Sequence, residues 1–125
     1  MNSENPYRLL ADWLEKEAAD IRTIEREAYV ALHEQNDDSA YRDLMRSKAL
    51  KLASLAEQGD NIVDVKDRPD LRSAMNRISR FSQSAAQSLE VGSVFFMSAL
   101  LYPEEHKDGE ANDLENFIAE LKSLA

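Results

Sequence analysis

Apolar residues recur every three or four positions through four stretches of the chain, the spacing of helices that each bury one face. The first stretch carries Tyr7, Leu10, Leu14, Ile21, Ile24, Ala28 and Ala31, is widened by Leu9, Trp13 and Leu32, and is broken only at Glu17. Asn5 before Pro6 supplies an N-cap and a proline at the first helical position, so a first helix is predicted over 6–35. The polar run from Gln35 to Ser39 makes a turn and a fresh cap. Tyr41, Leu44, Met45, Ala49, Leu52, Leu55 and Ala56 then repeat the pattern, predicting a second helix over 39–58 that Gly59 ends. Residues 59–68 read as a loop whose Ile62, Val63 and Val65 cover core. Pro69 opens a third helix ending near Tyr102, with Leu71, Met75, Ile78, Phe81, Ala85, Leu89, Gly92, Phe96 and Leu100 along one side. After an acidic loop, Asn112 and Glu115 form a capping-box pattern for a last helix bearing Leu114, Phe117, Ile118, Leu121 and Leu124.

Short connections between the first and second helices, and between the third and fourth, favour antiparallel neighbours. The expected fold is therefore all-α: an antiparallel up-down-up-down four-helix bundle with two long and two shorter helices, one domain over 1–125. At 1.5 Å per residue the long helices reach roughly 45 Å and the others about 30 and 20 Å. The bundle then cannot close along its whole length, and Leu9, Trp13, Leu71 and Met75 lack a fourth wall. Either the 59–68 loop or a second copy of the chain must cover them, and the reading adopted is a homodimer with Trp13 as its anchor. In the third helix, Ser82, Ala85, Ala86, Ser88, Gly92 and Ser93 are small enough for close approach of a neighbour; the alternative turns the serines to solvent and buries the alanines.

Composition narrows the chemistry. Of the 125 residues 43% are hydrophobic and 31% charged, with six Gly and Pro together, which suits a helical domain over a sandwich or a disordered chain. Having no cysteine, the chain can form no disulfide, thiolate metal site or catalytic thiol. The polar, acidic N-terminus does not read as a secretory signal, and the apolar stretch from Val91 to Tyr102 has about twelve residues where a membrane span needs about twenty. A cytoplasmic protein without a membrane partner is expected.

The net charge of −9 is divided unevenly: −6 over residues 1–41, +3 over 42–80 and −6 over 81–125. If the second and third helices are antiparallel, Arg42, Arg46, Lys48, Lys51, Arg77 and Arg80 form a basic stripe able to bind a phosphate or an acidic protein, unless Glu25 and Glu27 neutralise it. Nucleic acid is disfavoured as a main partner, because the net charge repels a polyanion and no aromatic platform is interleaved with the basic residues.

Neither His33 nor His106 has a glutamate three residues earlier, so the ligand pairs of a di-iron bundle are missing. Glu17, Asp20 and Glu90 could converge on a hard cation, and the loop with Glu104, Glu105, His106 and Asp108 could attract one weakly, but no metal or other cofactor is expected. No Walker loop, GxGxxG or GxSxG occurs. Arg26 and His33, separated by six residues, are similar to the Arg-x4-6-His motif of HEPN-type helical ribonucleases. That resemblance implies a ribonuclease acting across a dimer, although in that family the motif lies toward the C-terminal part of the bundle. The expected function is protein binding, self-association first, with no evident enzymatic activity. A phosphate-directed module on the basic stripe, and the ribonuclease, stand as alternatives.

Overall fold

The computed structural model describes residues 5–66 and 68–125, among which there are six helices and no strand. Helix α1 spans Pro6–His33, α2 Asp38–Ala53, α3 Leu55–Asp60, α4 Pro69–Val91, α5 Val94–Ala99 and α6 Asp113–Leu124. The four longer ones, α1, α2, α4 and α6, make the up-down-up-down bundle. Helix α1 packs between α2 and α6, and α2 packs on α4. The α4 and α6 side chains close the ring, with the Phe81 and Phe117 rings 6.0 Å apart and Arg77 bonded to Glu120 at 2.9 Å.

Caps set the helix starts as their chemistry requires. Asn5 Oδ1 accepts the amides of Tyr7 and Arg8, Asp37 Oδ1 accepts that of Ala40, and Asn112 and Glu115 exchange both bonds of a capping box. The core is apolar and tightly enclosed: Leu10, Leu14, Ile21, Leu55, Ile78 and Leu114 have no exposed surface.

Two predicted helices are interrupted. The expected 39–58 helix breaks at Ser54 because the buried Ser82 hydroxyl inserts into its hydrogen-bond ladder, donating to the Leu52 carbonyl at 3.0 Å and accepting the Ala56 amide at 2.9 Å. Gly59 does not end the helix. It lies buried within α3, where a Cβ would sit 3.0 Å from Met75 Cε and 3.4 Å from Trp13 Cη2. The long third helix stops at Gly92, whose φ of 73° and bonds back to the last turn (Gly92 and Ser93 amides to the Ser88 carbonyl) make a left-handed C-cap. The chain restarts as α5 under a Ser93 cap, and this change of direction places Met97 in the core where the continuous stripe had put Phe96.

The expected open end is filled by the chain itself. Helix α3 lies over Trp13, while Ile62, Val63 and Val65 pack on the core beside it. Leu71 and Met75 are buried there at 1% and 8% exposure, so neither presents a surface; Leu9 and Trp13 are partly buried. The small-residue stripe is mixed: Ser82, Ala85 and Ser88 are buried, whereas Ala86 and Gly92 are exposed.

Candidate functional site

At the end of the bundle away from Trp13, a cleft of about 660 Å³ opens between α1, α2, the end of α5 and the loop that follows Tyr102. Register along α1 divides its lining. Arg22, Glu25 and Arg26 recur at three- and four-residue spacing on one face, and the next turns of that face present Tyr29, Leu32 and His33. The antiparallel α2 places Lys48 beside Glu25, and Met45 and Tyr41 follow toward the C-terminus of α1. One end of the cleft is thus ionic and the other aromatic and aliphatic.

A connected polar network forms the floor of the ionic end. Lys48, 1% exposed, holds its ammonium 3.1 Å from Glu25 Oε2, 3.0 Å from the Ser98 carbonyl and 5.0 Å from the centre of the Tyr102 ring. The Tyr102 hydroxyl donates to Glu25 Oε1 at 2.7 Å and accepts from Arg22 Nη1 at 3.1 Å. Arg22 grips Glu115 with two bonds of 2.7 and 3.0 Å, and the same carboxylate caps α6. Burial pushes the Lys48 pKa down, against the pull of Glu25. Burial and the bond to Glu25 lift the Tyr102 phenol to about 12. The Arg22 contact holds the Glu115 carboxyl below its ordinary value.

Four of the six residues of the expected anion-binding stripe are held in ion pairs. Lys48 pairs with Glu25, Lys51 with Glu17 and Asp20 at 3.4 Å each, Arg42 with Asp38 at 2.7 Å and Arg77 with Glu120. Arg46 and Arg80 make no ion pair with the described residues. Of the two expected neutralisers, Glu25 pairs with Lys48 and Glu27 with none of the six; Glu17, Asp20, Asp38 and Glu120 supply the rest. Glu17 and Asp20 converge on Lys51, with Glu90 exposed elsewhere, so these three do not meet around a cation. Among the described residues no group of three or more acidic or histidine side chains is placed to hold a metal.

Arg26 and His33 do share the cleft. So does His106, whose ring meets that of Tyr102 edge-on with centroids 4.8 Å apart. Both histidines of the chain therefore line one surface from positions 73 residues apart. Sequence reasoning missed this association and the place of Tyr102 in it, because no local spacing connects them; Glu25 was expected opposite the basic stripe and Glu115 only as a helix cap.

A second feature is apolar. Phe95 is 74% exposed, Phe96 52% and Val91 61%, and the two phenylalanine rings lie 5.9 Å apart at the corner where α4 turns into α5. Exposed Gln83, Ser84, Ala86 and Gln87 continue from this corner along α4, and Glu90 is the sole charged residue between positions 81 and 102.

Comparison of the chain with protein-family models, with curated proteins and with solved structures returned no match. No helix of the described residues is long and apolar enough to cross a membrane.

Proposed function

We propose that this protein works by binding protein, a second copy of itself first, through the corner formed by Val91, Phe95 and Phe96. The observation that carries the reading is this exposed aromatic pair on a surface almost free of charge. Each copy carries −9, so two copies repel wherever their acidic faces meet; the 81–102 surface lets them touch without that repulsion. It replaces Leu9, Trp13, Leu71 and Met75 as the contact, since the chain already covers that end.

Taking about 200 Å² for a free phenylalanine, the three side chains expose roughly 350 Å² per copy. Doubled across a two-fold axis, this is about half of what a standard interface buries, the small polar residues of α4 supply the remainder, and the complex falls in the weak, concentration-dependent class. The internal ion pairs leave the phosphate-directed alternative only Arg46 and Arg80 without a carboxylate among the described residues, and no observation favours it.

Light scattering across a concentration series tests the proposal. The mass is expected to rise from 14.2 kDa toward twice that in the high-micromolar range. A Phe95→Ser, Phe96→Ser variant should stay monomeric with an unchanged helical spectrum and melting midpoint, because both side chains are exposed. A parent monomeric throughout, or a dimer indifferent to both substitutions, overturns the assignment.

A further inference from the structure

Stability alone does not explain the ionic floor of the cleft. A buried ion pair is at best even with a well-packed apolar pair in stability, so Lys48 and Glu25 contribute something an apolar floor would not: fixed charge beneath an open surface. The Lys48 ammonium has three N–H donors and meets two acceptors, Glu25 and the Ser98 carbonyl. Above it, exposed Arg26 bonds only the Thr23 hydroxyl, at 3.3 Å, and makes no ion pair with the described residues. Arg22, by contrast, is satisfied by Glu115 and Tyr102. The ionic end thus keeps one guanidinium to offer, with His106 also on the lining, against Tyr102. From Arg22 to His33 the cleft runs about 16 Å along α1 at 1.5 Å per residue, and its far half is walled by Tyr29, Leu32, Tyr41 and Met45.

The geometry points to this cleft as the binding site of a small amphipathic monoanion, with a flat aromatic body against Tyr29, Tyr41 and Met45 and one carboxylate on Arg26. A guanidinium takes a carboxylate through paired hydrogen bonds, whereas an aliphatic or aromatic wall rewards the apolar body. Asp108 on the lip opposes a second negative charge and makes a dianionic phosphate the poorer occupant. Val91, Phe95 and Phe96 line no part of the cleft, so the site stands independently of self-association.

Methyl NMR of the full chain, titrated with phenylacetate, tests the site directly. The Met45 methyl is expected to shift saturably while the Met75 methyl, packed at the opposite end against Gly59, stays still. Phenylacetamide, equal in shape and uncharged, should bind about tenfold more weakly, as loss of one charge-assisted contact implies. Arg26→Gln should weaken phenylacetate about tenfold with the melting midpoint unchanged. An immobile Met45 methyl, equal affinity for acid and amide, indifference to Arg26→Gln, or tighter binding of phenyl phosphate would each refute the inference.

Discussion

Replacing Glu25 by leucine isolates the energetics of the buried floor. The variant deprives the Lys48 ammonium, 1% exposed, of its counter-charge and removes the acceptor of the Tyr102 hydroxyl. Breaking one side of a buried pair costs about 3–5 kcal/mol, because the remaining charge must be carried unpaired or surrendered as a proton. With an unfolding entropy of about 2.1 cal/mol/K per residue, a chain of this length should lose about 10–20 °C in melting midpoint. Combining Glu25→Leu with Lys48→Met removes the stranded charge as well. The double variant should recover most of that loss, keeping about 1–3 kcal/mol for the Tyr102 hydroxyl left without its acceptor, and the cycle should show strong coupling between the two positions. Urea unfolding followed by helical circular dichroism measures all four corners of the cycle. The reasoning also fixes a pH signature. Since burial lowers the Lys48 pKa, the unfolded parent binds more protons between that depressed value and the ordinary 10.5, so its stability climbs as pH rises through the window. The double variant should lack that climb. A single variant that loses under about 1 kcal/mol, or a double variant as weak as the single, would show that Lys48 and Glu25 are solvated in the native chain.

Three further perturbations address other links in the structure. Tyr102→Phe should cost about 1–3 kcal/mol in urea titrations by stranding Glu25 and Arg22. Because the native phenol titrates near 12, above its ordinary 10.0, its share of the stability is complete below pH 10 and fades between 10 and 12; unfolding curves of the phenylalanine variant should omit that decline. Ser82→Ala leaves the Leu52 carbonyl and Ala56 amide without the hydroxyl that bridges them, so about 1–3 kcal/mol should be lost and the Ala56 amide should exchange faster. A more stable variant would mean that Ser82 does not set the bend. Gly92→Ala forces a Cβ into the left-handed region at φ 73° and should cost about 1–2 kcal/mol by chemical denaturation, steric room being available at that position. An unaffected stability would indicate that α4 simply continues through residue 92.

Helix starts were legible because capping is local: Asn5, Asp37 and Asn112 act on amides two or three positions away. The antiparallel order was legible for a related reason, since short loops permit little else. Breaks within helices were not. Ser54 carries no breaking signal of its own, and the hydroxyl that opens the ladder comes from Ser82, 28 positions later and otherwise one serine among several. Gly92 did carry the signal of a terminus, yet its place on an unbroken apolar stripe concealed it until the turn was seen to exchange Phe96 for Met97. Gly59 misled in a smaller way: the lack of a side chain serves Trp13 and Met75, and α3 runs one residue beyond it, to Asp60. The cleft was the least legible part. Arg26 and His33 stood out by spacing, but Glu25 and Lys48 join across the first hairpin, Tyr102 and Glu115 arrive from 77 and 93 residues beyond their partners in α1, and His106 joins the lining through Tyr102. Such a constellation exists only after the helices have chosen their neighbours.

The stacking of α3 over the only tryptophan gives the molecule an optical division of labour. Indole emission responds to the polarity immediately around the ring, and here that ring rests against Gly59, near Met75, remote from the tyrosines of the opposite end. Fluorescence excited selectively at Trp13 therefore watches the lid of one pole, while tyrosine absorbance draws three of its four reporters, Tyr29, Tyr41 and Tyr102, from the other, and a Tyr7→Phe background removes the fourth. Heating a single sample and following both colours will reveal whether the two poles melt as one body or let go in turn.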